Sequence, residues 1–211
     1  MYKYAILIDA GFIKKKLGST NNSLTTVEPI IDFVEKVKNE VSQIIETDAF
    51  LYRIYYYDAH PASFKMKNPI SNTPTNLQST DTYRANKSIL DRLKKAPNFA
   101  IRLGECVDRG WKVKGHVLRR NDGAGTVNVV ESDLSMNIKQ KGVDMRIGLD
   151  VASLALKKQV DGIVLIAGDS DFIPPMKFAR KEGLQMILCT MNAPVKNKMF
   201  EHCDIALDLS V

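Results

Sequence analysis

Short runs that are apolar at every position constrain this chain more than any other feature. Residues 4–8 (YAILI) and 162–167 (GIVLIA) show no alternation, the mark of strands buried on both faces of a parallel sheet, and 184–189 (LQMILC) is expected to be a further core strand. Helical patterns fall between such runs. Ile30, Val34, Val37, Val41 and Ile44 recur at three and four within 27–46, after Glu28 and Pro29 in a suitable first turn. Further helices are expected over 83–95, stopped by Pro97, and over 143–157, with Ile147, Val151 and Leu154 on the apolar side. Residues 172–181 carry Pro174 and Pro175 in a first turn, where a missing N–H is harmless, and Gly183 ends that helix. A short helix over 194–202 closes the series. Strands are expected at 50–57 and 99–103. Alternation of strand and helix predicts an α/β fold, a doubly wound sheet of mainly parallel strands with helices on both faces.

The 211 residues suit a single domain over 1–211. Two stretches depart from the alternating pattern. Residues 59–80 hold three prolines and many Asn, Ser and Thr, and read as a long surface loop. Residues 111–118 and 126–130 alternate like half-exposed strands around Asn121-Asp122-Gly123-Ala124-Gly125. They are expected to form a β-hairpin insertion over about 111–131.

Carboxylates follow the buried runs. Asp9 closes the first, Asp58 the second, and Asp169 and Asp171 stand after GIVLIA in GDSDF; Asp144 and Asp150 fall in KGVDMRIGLD. Functional groups of an open parallel sheet gather beyond the carboxyl ends of its strands, where strand order reverses. If the first and fourth strands are neighbours there, Asp9, Asp169 and Asp171 share a crevice. Asp144 leans in from the first turn of the preceding helix. Asp150 lies about 120° round that helix from Asp144 at 3.6 residues per turn, so it and Asp58 are secondary candidates. Each acid has a plainer reading: Asp144 suits a helix N-terminus, and Asp169 or Asp171 would cap the helix that follows. Two carboxylates about 4 Å apart repel by roughly 4 kcal/mol at an effective dielectric of about 20. A shared proton or a divalent cation offsets that cost.

Thirty Lys and Arg against 24 Asp and Glu give a formal charge of +6. Beside an acidic pocket, that excess favours a polyanionic partner. Lys14, Lys15 and Lys16 follow Asp9; Arg119 and Arg120 end the first half of the expected hairpin; Lys139 and Lys141 lead toward Asp144. These are the candidate phosphate contacts, with Tyr55, Tyr57 and Trp111 as aromatic candidates for base stacking, although core packing suits the first two better. Cys106, Cys189 and Cys203 lack CxxC spacing, and His60, His116 and His202 are isolated, so neither a disulfide framework nor a zinc site is indicated. No run is long enough to span a bilayer. A reducing, cytoplasmic setting is expected, and a homodimer suits a domain of this size.

IDAGFI, YYYDA, IRLGE, KGVDMRIGLDVASLAL and VLIAGDSDFIPPMKFARKEGLQMIL together resemble the NYN domain of the PIN-like nuclease superfamily, with the LabA-like branch the nearest likeness. The resemblance covers nearly the whole chain. It implies a PIN-like sheet and an acidic pocket that binds Mg²⁺ or Mn²⁺ and cleaves RNA. The family's acids fall on Asp9, Asp144, Asp169 and Asp171, with Asp150 at the later acid of the helix motif. Many relatives carry Asn shortly after the first Asp, where this chain has Phe12.

The expected function is therefore a metal-dependent ribonuclease that hydrolyses phosphodiester bonds by water. The alternative is a non-cleaving nucleic-acid- or nucleotide-binding module of the same fold. A haloacid-dehalogenase-type phosphatase is disfavoured because Gly11 stands where its second Asp belongs, and a GDS-type serine hydrolase because Gly168-Asp169-Ser170 lies far from the first strand.

Overall fold

β1 (Tyr2–Asp9) sends Tyr4, Ile6 and Ile8 into one apolar layer and Ala5 and Leu7 into another, all of them buried. A strand with no solvent face must lie inside its sheet, and β1 does. The computed structural model describes residues 1–21, 25–45, 47–119 and 125–210. After β1 come α1 (Ala10–Asn21), α2 (Val27–Ile44), β2 (Ala49–Ala59), β3 (Lys65–Lys67), β4 (Pro74–Asn76), α3 (Asp81–Leu93) and β5 (Phe99–Val113). The second half runs α4 (Gly115–Leu118), β6 (Leu134–Lys141), α5 (Val143–Leu156), β7 (Gly162–Ile166), α6 (Ile173–Lys181), β8 (Gln185–Cys189), α7 (Asn197–Phe200) and β9 (Ile205–Leu207).

Seven strands form one sheet in the order β6-β5-β2-β1-β7-β8-β9. Every neighbouring pair is parallel except β5 and β6. Strand order grows outward from β1 through β2 to β5, then resumes on its other side with β7, so the reversal lies between β1 and β7. Their register joins Tyr4 to Gly162 and Ile8 to Ile166. Both strands thus finish at the same level. α1, α2 and α3 bury Ile13, Leu17, Ile30, Phe33, Val37 and Leu90 against one face. α5 and α6 bury Ile147, Val151, Leu154 and Met176 against the other. The expected doubly wound architecture is present.

Three local expectations change. The hairpin is not an insertion at 111–131: β5 runs unbroken from Phe99 to Val113, and its partner is β6. Residues 115–118 are the helical turn α4, and 126–130 form no strand. Alternation misleads here because β5 bulges between Asp108 and Trp111, where Gly110 takes a φ of 76° and donates its N–H to Asp108 Oδ1 at 2.7 Å. Residues 121–124 of the expected turn lie outside the described residues. The loop 59–80 contains its own small hairpin, β3 with β4. Asn68 organises it, accepting from the N–H groups of Ile70 and Ser71. Finally, α1 and β9 have no expectation behind them. Gly11, Gly18 and three successive lysines dilute the apolar stripe of Ala10, Ile13 and Leu17, and three-residue β9 is too short for a periodicity.

Candidate active site

Asp9 is the last residue of β1 and follows the unbroken apolar run Ala5–Ile8. Its Oδ1 accepts from the N–H of Gly11 at 2.9 Å and of Phe12 at 3.4 Å, using donors that the first turn of α1 cannot satisfy internally. A carboxylate on the sequence side of a helix start is favoured by the dipole as well. Burial outweighs both effects: desolvation pushes the Asp9 carboxyl up to about 6, and the negative charges of Asp144 and Asp58 add to it.

Gly168-Asp169-Ser170 follows β7 across the reversal, and the two segments line one crevice of about 530 Å³. Asp9, Phe12 and Lys15 form one side; Gly168, Asp169 and Ser170 form the other; Pro194, Val195 and Lys196 close it from the loop after β8. Asp169 caps the 3-10 turn 170–172, its Oδ1 accepting from the Asp171 N–H at 2.9 Å. Neither acid caps α6 itself, whose N-cap is Phe172 without a side-chain bond; Asp169 caps only the turn before it. Asp144 sits in the first turn of α5, after Gly142 at a φ of 75°. Partial desolvation raises its carboxyl, and the charges of Asp169 and Asp171 raise it further. Asp9 thus feels Asp144, and Asp144 feels Asp169 and Asp171.

Asp144, Asp169 and Asp171 are exposed. Among the described residues no three His, Cys, Asp or Glu side chains stand close enough together to hold an ion as a ready-made group. The donor chemistry nonetheless fits a hard cation: Asp9 and Asp169 supply carboxylate oxygens to the lining, Asp144 and Asp171 lie outside it, and no His or Cys lines it. Asp9 is the anchor of such a set, a desolvated carboxylate whose repulsion by Asp144 a positive charge would relieve.

Asp58 and Asp150 have other partners. Asp58, 2% exposed, forms an ion pair with Lys14 at 2.7 Å and accepts from the Ala59 N–H and Gln140 Nε2. Lys14 also donates to Asn86 Oδ1 at 2.8 Å. It therefore tethers α1 to β2 and α3 and is not presented to a substrate backbone. Asp150 accepts from Tyr57 Oη and Arg102 Nε, both at 2.9 Å, locking α5 onto β2 and β5.

Of the other basic candidates, exposed Lys15 lines the crevice, and half-buried Lys16 lines an adjoining hollow. Lys139 and Lys141 are exposed on β6, the edge of the sheet, rather than in a lead-in loop, where lysines also discourage strand pairing with other chains. Arg119 is exposed at the end of α4, and Arg120 lies outside the described residues. Tyr55 and Tyr57 stack with ring centroids 6.3 Å apart inside the core, so they take no base. Trp111 is half-buried on β5 opposite Met136.

Sequence reasoning missed Lys196, whose Nζ donates to Ser170 Oγ at 3.1 Å. The available signal was its place in the loop after a core strand, where such sheets build their sites. A larger hollow, about 770 Å³, lies at the other end of the strands between Tyr2, Asp161, Arg180 and Asp204. Its Arg180 is already paired with Asp204 at 2.9 Å, and the strand-end acids are elsewhere.

Comparison with known proteins agrees with this architecture. The sequence model of the NYN domain matches residues 75–209, a span holding Asp144, Asp150, Asp169 and Asp171 but starting after Asp9 and Asp58. The crystal structure of a protein of unknown function from Vibrio parahaemolyticus is similar in fold, with a TM-score of 0.50 and 15% identity over 98% of this chain and 93% of that one. No curated protein matches the chain. The family match spans more than half of the sequence: the chain belongs to the NYN domain family of the PIN-like superfamily, whose members are generally nucleases.

Proposed function

We propose that this protein is a ribonuclease that hydrolyses RNA phosphodiesters with a divalent cation held at the β1–β7 reversal. One observation carries the reading: Asp9 and Asp169, 160 residues apart in sequence, line the same crevice, with Asp144 coupled electrostatically to both. Asp9, Asp144, Asp169 and Asp171 are the residues that would hold Mg²⁺ or Mn²⁺. When bound, such an ion supplies positive charge to the scissile phosphate and acidifies a water.

The chain's own groups account for the rest. Asp9 is fixed through Oδ1 by two backbone donors, so its direction is set before any ligand arrives. Lys15 and Lys196 place positive charge in the lining of an otherwise anionic crevice, where a phosphate chain would meet repulsion without them. No Ser, Cys or Thr nucleophile stands beside a His base in that lining, which supports direct attack by water rather than a covalent intermediate.

The absence, among the described residues, of three acids already gathered into a ligand group favours the second reading, a binding module of this fold that does not cleave. A cleavage assay separates the two. Purified wild type should cut single-stranded RNA in Mn²⁺, and both Asp9→Asn and Asp169→Asn should abolish cutting while keeping the native circular-dichroism spectrum. Cleavage that persists unchanged in both variants refutes the nuclease site, and RNA binding without cleavage in wild type establishes the module.

A further inference from the structure

Beyond Phe12 the acidic crevice continues into a second hollow of about 410 Å³. Phe12, Lys15, Gly168, Pro194 and Val195 line both spaces, so the two are contiguous. Their chemistry differs. The second contains neither Asp9 nor Asp169; an aromatic ring, Ala193, Pro194 and Val195 dominate it, with Lys15 and Lys16. The ring packs against a glycine: a Cβ on Gly168 would fall 2.5 Å from Phe12 Cε2 and 2.9 Å from Cδ2, so a side chain there would displace the ring from its present place. Phe12 remains half-exposed although it is large and apolar.

An apolar aromatic wall joined through Lys15 to a crevice that also carries Lys196 matches the repeating chemistry of a nucleotide, a flat π-face attached to an anionic backbone. We infer that this hollow takes one unpaired base of a single-stranded RNA, stacked on Phe12, beside the phosphate that enters the Asp9 crevice. The assignment rests on the ribonuclease reading for the position of that phosphate. Bases of a duplex are already stacked and paired, so a duplex offers no free face to this slot. Stacking of a base on an aromatic side chain changes affinity by about 1–3 kcal/mol, roughly five- to 150-fold. Phe12 is on this account a determinant of strand preference. Lys15, lining both spaces, would bridge base and phosphate subsites.

The test is fluorescence polarisation of the full chain in EDTA with a labelled short oligoadenylate, and with a series in which a single abasic ribose is walked along it. One abasic position should weaken wild-type binding about tenfold. Phe12→Leu, which keeps the apolar filling but loses the π-face, should weaken the intact oligomer by a similar factor and be insensitive to that abasic position. Phe12→Trp should bind as wild type does. Equal binding of intact and abasic oligomers by wild type overturns the slot, whether or not Phe12→Leu folds; so does a Phe12→Leu protein with undiminished affinity. Cleavage in Mn²⁺ is read separately. Base dependence without cleavage sinks the nuclease reading and keeps the slot, cleavage without base dependence does the reverse, and failure to bind any oligomer together with no cleavage sinks both.

Discussion

Asp9 carries two opposite demands, and its chemistry shows which wins. Backbone donors favour its charged form, yet burial and neighbouring acids lift the carboxyl to about 6 from an ordinary 3.8. In the metal-free protein the folded state therefore keeps a proton that the unfolded chain releases between about pH 4 and pH 6. Below pH 4 both states are protonated and no penalty arises. As the pH rises from about 4 to about 6 the folded state loses roughly 3 kcal/mol relative to a neutral side chain at this position, and the loss is complete above that. Asp9→Asn keeps an oxygen acceptor for Gly11 and Phe12 and removes the charge. Urea unfolding in EDTA should find the variant more stable at pH 7 by about 2–3 kcal/mol, with the advantage shrinking to near zero at pH 4. A pH-independent difference would show that Asp9 is not desolvated. At this scale the sequence was informative about Asp9, because an acid ending an apolar run leaves a trace. It marked Phe12 only as a departure from the family pattern and was silent about Lys196, because their contacts with Gly168 and Ser170 are made across the fold. It also misplaced Lys14, since nothing local reveals that Asp58 and Asn86 enclose its ammonium.

Elements were legible wherever burial leaves a period. β1, β7 and β8 show it as unbroken apolar runs, α2 and α5 as repeats of three and four. β5 and β6 were harder, because strands with mixed exposure and a bulge mimic a local hairpin. Their junction matters to the site, since β6 delivers the chain through Gly142 into α5 and Asp144. That passage depends on Gly104 of β5: a Cβ there would stand 2.3 Å from the Lys141 carbonyl oxygen and 3.0 Å from Val143 Cγ2. Backbone cannot swing aside as a side chain can. Gly104→Ala should cost about 1–3 kcal/mol in urea unfolding and shift the entry to α5, lowering Mn²⁺-dependent cleavage as well. An unchanged midpoint would mean that β6 is free to slide away from β5.

For the molecule as a whole, the relevant property is the contrast between a net charge of +6 and an acidic crevice at the switch point. On the proposed function, the first would draw a polyanion in and the second would handle it. The order β6-β5-β2-β1-β7-β8-β9 produces the contrast by ending β1 and β7 side by side, a juxtaposition that alternating strands and helices suggest but do not specify. The described residues include no helix long and apolar enough to cross a membrane. If Lys15 meets a backbone phosphate, Lys15→Gln should reduce the slope of log affinity against log salt by about 0.7 for single-stranded RNA. A slope equal to that of wild type would remove Lys15 from the contact surface.

On the proposed function, acids from β1, α5 and the turn after β7 share one cation. Calorimetric titration with Mn²⁺ of wild type, Asp9→Asn, Asp144→Asn and Asp169→Asn addresses it directly. The account predicts binding by wild type and a loss of about tenfold or more in each single variant. Equal Mn²⁺ affinity in all four proteins, or no binding by wild type, would contradict it.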